Sequence, residues 1–264
     1  MSLFGSLAGL RDEPIRDLDA ARALWAGYRA HPIAAGSDAH NEPLVDLHDL
    51  GIAGENFYYS HRNPPYWRRI PGSTQALAVR RSVGEKLKRV NARLEAATLE
   101  LYVFDAWRPR AVQEYFHGHW MPSELKRKRP ELSGEALRRE VELYWAAPTR
   151  DASSPAPHAT GAAVDLTARW IGAEQLWMGS LFDEVTPLGH RDRFERLDAT
   201  TLSFSDEEAR ANRRLLHWVM IEEGFCGHPD EWWHFSWGDQ MWAKLTGAPE
   251  AFYGPAEAPA ARLE

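Results

Sequence analysis

Ala76, Val79, Val83, Leu87, Val90 and Leu94 recur at intervals of three and four residues, which lays one apolar stripe along a helix. The period then changes. Leu99, Leu101 and Val103 alternate with Glu100, Tyr102 and Phe104, the two-residue repeat of a strand. Directly behind it stands Asp105-Ala-Trp-Arg108-Pro109. Proline fits the first turn of a helix, where no backbone N–H is needed, so Arg108 is predicted at a strand-to-helix junction facing a cleft. A helix is predicted from Ser133 to Trp145, then a proline- and serine-rich loop from Pro148 to Pro157 and a short strand from Ala162 to Leu166. Ser205-Asp-Glu-Glu208 has the capping-box form and opens a helix that stops near Gly224. Trp232 to Trp237 reads as the last strand.

The first 45 residues are rich in alanine, proline and glycine, with one helix predicted from Asp19 to Arg29. They read as an N-terminal extension that wraps a domain formed by residues 46–264. Helices and strands in this order predict an α+β single domain, with helices packed on a central mixed or antiparallel sheet.

Composition narrows the function classes. With 44% hydrophobic and 26% charged residues, the chain is neither disordered nor fibrous. A net charge of -7 argues against a nucleic-acid binder, and the run Lys126 to Arg129 reads as a solvated helix end. Cys226 is the single cysteine, which excludes an intrachain disulfide and a thiolate zinc cage. No run is apolar enough for a membrane span, and the opening MSLFGSLAGLRDEP turns charged too soon for a signal peptide, so a cytoplasmic protein without a membrane partner is expected. No G-x-S-x-G elbow, Walker A loop or G-x-G-x-x-G is present, which leaves serine catalysis and nucleotide binding without a starting motif.

Histidines and carboxylates offer another chemistry. A catalytic zinc takes three protein ligands and keeps one position open for water. His158, Asp165 and His234 supply two imidazoles and one anion. Asp165 interrupts an apolar strand, and an unpaired buried carboxylate is costly unless something cationic meets it. Glu231, three residues before His234, is placed to act as general base provided the chain bends there, because residues three apart on a straight strand face opposite sides. His117 and His119 look like a metal pair but lie at a predicted helix end without an acid nearby, and His190 and His228 sit in polar loops and are expected to be solvated.

At these residues the sequence resembles the zinc D-alanyl-D-alanine dipeptidases, over residues 45 to 240. The resemblance rests on DAWRP at 105–109, H-x-x-G-x-x-x-D at 158–165, MGSLFD at 178–183, NRRLLHWVMIEEGF at 212–225 and EWWHFSW at 231–237. It implies one zinc per chain held by His158, Asp165 and His234, with Glu231 as catalytic base. It further implies that Arg108 stabilises the oxyanion and that Asp183 holds the free amino group of a small dipeptide in an enclosed cleft. Two positions depart from the family pattern: Ala156 and Pro157 stand where a serine usually precedes the zinc histidine, and Asp49 stands near the place of a tyrosine. Both fall near the substrate rather than the metal.

Two other readings are weighed against this one. A D,D-carboxypeptidase or peptidoglycan endopeptidase of the same wider fold would act on wall polymers and need export. A non-catalytic zinc-binding module is expected to lack the base or the arginine, and both Glu231 and Arg108 are present. For Arg108 the bland alternative is a surface ion pair with Asp105 or Glu114.

Overall fold

The computed structural model describes residues 6–257 apart from 17, 35, 37, 143, 146 and 199. Two short helices come first, α1 (Leu7–Asp12) and α2 (Leu18–Trp25). The strands β1 (Leu44–Asp46), β2 (Ala53–Gly54) and β3 (Ala78–Arg80) precede the long helix α3 (Arg81–Glu95). Next come β4 (Leu99–Asp105), α4 (Arg110–Tyr115), α5 (Met121–Lys128) and α6 (Gly134–Glu142). The final third holds β5 (Ala163–Trp170), α7 (Phe204–Ile221), β6 (Cys226–Gly227), β7 (His234–Ser236) and α8 (Gln240–Thr246).

A five-stranded sheet of order β2-β4-β5-β7-β6 forms the centre. Only the β2–β4 pair is parallel, so the sheet is mixed and the class is α+β. β1 and β3 make a separate antiparallel pair. The predicted stripe on α3 is real from Val83 onward: Val83, Leu87, Val90 and Leu94 are fully buried. Its first two members are not helical. Val79 pairs with Val45 in β3, a tertiary pairing that overrides a helical spacing only one turn long.

Other boundaries differ for identifiable reasons. β5 runs four residues past Leu166 because its polar positions are satisfied in the sheet: Arg169 sits opposite Glu100 and donates to it at 2.8 Å. The cap of α7 is Ser203 rather than Ser205; Ser203 Oγ accepts from the Asp206 N–H while the Asp206 carboxylate accepts from the Ser203 N–H, both at 3.2 Å. The predicted last strand shortens to three residues, because Trp232 and Trp233 lie in a turn that donates to Gly189 O and accepts from the Leu166 N–H.

The N-terminal helices lie on the sheet domain. Arg11 on α1 reaches Asn212 and Glu208 on α7, and the indole of Trp218 donates to Glu13 O at 2.8 Å. On α2, Arg22 binds Asp192 and Asp230. This helix ends at Trp25, earlier than the predicted Arg29, because the chain turns at Gly27 in the left-handed region with φ 73°. The basic run at the end of α5 is spent on exposed pairs, Arg127 with Glu124 and Arg129 with Glu140.

Candidate metal centre and catalytic cleft

Strand register builds the site. Asp105 at the end of β4 stands opposite Asp165 on β5, and Asp165 stands opposite His234 on β7, so one row across three strands carries three polar side chains. A register shift between Val103 and Asp105 lets the row end on Asp105. His158 joins from the tight turn Pro157–Thr160 just before β5. That turn closes on Gly161 at φ 71°, where an added Cβ would lie 2.4 Å from Leu44, so the glycine of H-x-x-G has both a conformational and a spatial reason.

The three expected ligands converge. His158 Nε2 lies 3.1 Å from His234 Nδ1 and 3.3 Å from Asp165 Oδ2, and His234 Nδ1 lies 3.0 Å from Asp165 Oδ1. The opposite ring nitrogens set the tautomers: His158 Nδ1 donates to Ala106 O at 2.8 Å, and His234 Nε2 donates to Ser236 Oγ at 3.2 Å. Two imidazole lone pairs and a carboxylate therefore face one point. Burial, with His158 nearby, pulls His234 down to about 4, which keeps it neutral at pH 7. Among the described residues this is the one metal-competent group of three; His117 and His119 fall in a wide turn, Phe116–Trp120, with His119 exposed.

Glu231 lies beside the group, its Oε2 3.7 Å from His234 Nδ1. The required bend is present, for residues 231–233 turn before β7 starts at His234. Burial, then the charges of Asp165 and Asp183, push the Glu231 carboxyl well above its ordinary value. Arg108 is not a surface residue. It is 8% exposed, donates to Asp105 at 2.8 Å and Asp165 at 3.1 Å, and packs against the neighbouring rings of Tyr58 and Trp145, 5.0 Å from each. Glu114 instead pairs with Arg110. Burial opposes the charge of Arg108, yet Tyr58, Asp105 and Asp165 keep its guanidinium protonated.

Asp183 opens onto the same cavity, which measures about 620 Å³. Its Oδ2 accepts from Tyr58 OH at 2.8 Å and Tyr66 OH at 2.9 Å, and burial pushes its carboxyl up to about 7. Neither tyrosine carries a sequence signal beyond its place in an aromatic stretch. Both phenols are buried behind Asp183 rather than lining the cavity, and Asp49, expected near the substrate, does not line it either but lies exposed in the turn Leu47–Leu50. Ala156 and Pro157 line the wall beside His158. His228 is not solvated as expected: its ring packs 5.8 Å from His234 and 5.1 Å from Trp25, and burial keeps it neutral. Its Nδ1 accepts from the Asp230 N–H at 3.2 Å. Trp25, Tyr28 and Arg29 from the N-terminal segment complete the wall.

The chain is similar to proteins of one family. The profile of the D-Ala-D-Ala dipeptidase family matches residues 68–248. A D-alanyl-D-alanine dipeptidase of Synechocystis sp. is 35% identical over 172 residues, covering 60% of this chain and 69% of the relative. One from Escherichia coli is 30% identical over 141 residues, covering 52% and 54%. Among solved structures, VanYB in complex with D-Alanine-D-Alanine aligns over 73% of this chain and 91% of its own at 16% identity and a TM-score of 0.40. With a family profile spanning more than half of its length, the chain belongs to the D-Ala-D-Ala dipeptidase family.

Proposed function

We propose that the protein is a zinc-dependent dipeptidase that hydrolyses D-Ala-D-Ala or a closely related dipeptide. The observation that carries this reading is the convergence of His158, Asp165 and His234 beside the carboxylate of Glu231. The donor set fits zinc: the three facing atoms are 3.0–3.3 Å apart, and a tetrahedron with bonds of ~2.0 Å has edges of about 3.3 Å. A zinc ion bound there supplies a Lewis acid for the scissile carbonyl and lowers the pKa of water toward neutrality.

The chain's own residues do the rest. Glu231 takes a proton from the attacking water and returns it to the leaving amine as the C–N bond breaks. Arg108, held by Asp105 and by the neighbouring rings of Tyr58 and Trp145, donates toward the carbonyl oxygen as negative charge grows on it, so the contact strengthens in the transition state. Asp183 accepts from the substrate ammonium, with its second oxygen fixed by Tyr58 and Tyr66. This reading includes a cytoplasmic location and a part in cell-wall precursor turnover. Residues 1–45 are then an extension of the catalytic domain at 46–264, tied on by Arg11 and Arg22.

A second reading, the D,D-carboxypeptidase, is favoured by the cavity of about 620 Å³, which is roomier than two alanines require. Rates on D-Ala-D-Ala, its N-acetyl derivative and a pentapeptide ending in D-Ala-D-Ala separate the two. Rapid cleavage of the free dipeptide alone is expected; rapid cleavage of the blocked or longer peptide would favour the carboxypeptidase. Asp183→Asn should raise KM for the free dipeptide about 10-fold or more, the scale of a lost charge-assisted hydrogen bond of 1.5–3 kcal/mol.

The pH profile adds a check. Both Asp183, pushed up to about 7, and Glu231 must lose a proton before the free enzyme is competent. kcat/KM should therefore fall on acidification with a slope steeper than one proton. In Asp183→Asn the slope should drop to that of one group; an unchanged slope would remove Asp183 from the reaction.

A further inference from the structure

Arg191 lies 2% exposed inside the fold, yet among the described residues no carboxylate pairs with its guanidinium. Nε donates to His228 O at 3.0 Å, and Nη2 donates to Glu231 O at 3.1 Å and His234 O at 2.7 Å. Nη1 donates to His217 Nδ1 at 3.2 Å, and burial keeps that histidine neutral. A buried cation normally takes an anionic partner, because desolvating the charge is costly. Here three of the four acceptors are backbone carbonyls of one turn, residues 228–234, which carries both the proposed base and one proposed ligand.

The ends of the turn are joined by one good bond, from the His228 N–H to His234 O at 3.1 Å, but its middle is held weakly. The two backbone bonds of Glu231, from its N–H to His228 O and from the His234 N–H to its carbonyl, measure 3.5 and 3.4 Å, at the long limit for a hydrogen bond. At Glu231 the contact to Arg191 is shorter, at 3.1 Å, and charge-assisted, so it is the stronger restraint on the residue that carries the proposed base. Room for the guanidinium is made at Gly227 on β6, where an added Cβ would stand 2.0 Å from Arg191 Cζ. That glycine does not have a positive φ, so space rather than backbone freedom explains it.

We propose that Arg191, seated in the notch left by Gly227, is a positioning residue that holds the 228–234 turn so that Glu231 and His234 keep their geometry at the metal centre. The proposal rests on the zinc-peptidase reading above. Arg213 on α7 makes a parallel clamp on another loop, donating to Met178 O and Leu188 O at 2.7 Å on either side of Asp183. The two clamps should have different signatures: Arg191 acts on metal and base, Arg213 on the amine-binding loop.

The test compares Arg191→Met, Arg191→Lys, Gly227→Ala and Arg213→Met with the full-length wild type. Zinc Kd is read by competition with a chromophoric chelator, kcat and KM on D-Ala-D-Ala, and Tm on the metal-free protein. Arg191→Met should weaken zinc about 10–100-fold, the usual effect of losing a residue that orients a ligand. Its kcat should fall about 100-fold with KM little changed, since a small misplacement of a catalytic group costs that much. Arg191→Lys should recover part of both losses. Gly227→Ala should show the same losses with the arginine still present, and Arg213→Met should move KM and leave zinc Kd in place. Wild-type zinc Kd and kcat in folded Arg191→Met, with only Tm lowered, would overturn the proposal. If that variant does not fold, Arg191→Lys and Gly227→Ala decide by the same two readouts. Failure of zinc-loaded wild type to cleave the dipeptide would instead sink the peptidase reading, while the zinc Kd series would still measure the hold of Arg191 on His234.

Discussion

Glu231→Gln should keep zinc and fold while losing about 10²–10⁴-fold in kcat, the usual contribution of general base catalysis. Glutamine preserves the length and shape of the side chain and removes only the ability to take a proton. The backbone of residue 231 is fixed independently, through its carbonyl to Arg191, so the substitution leaves the turn in place. Glu231 is also pushed up by burial and by the charges of Asp165 and Asp183, and a neutral amide at this position relieves that repulsion. The Tm of metal-free Glu231→Gln should therefore equal or exceed that of the wild type at pH 8. Metal analysis is the decisive companion measurement. Loss of zinc from the variant would make Glu231 a ligand, which its distance of 3.7 Å from His234 Nδ1 keeps geometrically open.

Arg108→Ala should lower kcat by about 10²–10³-fold, the scale of a lost oxyanion donor. The structure adds a second effect that the sequence does not suggest. Arg108 is buried between Asp105 and Asp165, and removing one partner of a buried ion pair costs about 3–5 kcal/mol. In a chain of this size Tm should fall by roughly 10 °C. Part of the cost is recovered at Asp105, whose carboxyl is already raised by burial and takes up a proton once the guanidinium is gone. Asp165 still faces His158 and His234, so the three proposed ligands stay together and zinc content should stay near one per chain. Differential scanning calorimetry and kinetics on Arg108→Ala check both parts. Near-normal turnover at a lowered Tm would leave Arg108 a purely structural cation.

What the chain discloses on its own follows the range of the interactions. The α3 stripe and the alternation in β4 are written in adjacent residues, and both elements stand where the pattern puts them from Val83 to Glu95 and from Leu99 to Asp105. Arg108 is likewise readable, because proline after a strand marks a junction. Elements held by pairing at a distance are not. β3 is three residues long and exists through β1, and β5 extends through Arg169 because Glu100 lies opposite. The site divides in the same way. Asp165 stands out as a carboxylate within an apolar run, whereas Tyr58 and Tyr66 acquire meaning only when the fold brings Asp183 to their hydroxyls. His228 looks like a loop histidine until Trp25 and His234 close over it. Arg191 sits in a charged run, His-Arg-Asp-Arg, that reads as surface, and its interior seat depends on a glycine in a different strand.

The central claim is tested most directly by release of free D-alanine from D-Ala-D-Ala, measured on protein loaded with one equivalent of zinc and on the same protein after chelation. The account predicts multiple turnovers with zinc, none after chelation, and recovery when zinc is returned. Zinc bound at His158, Asp165 and His234 with no dipeptide hydrolysis, or turnover that survives complete removal of the metal, would contradict it.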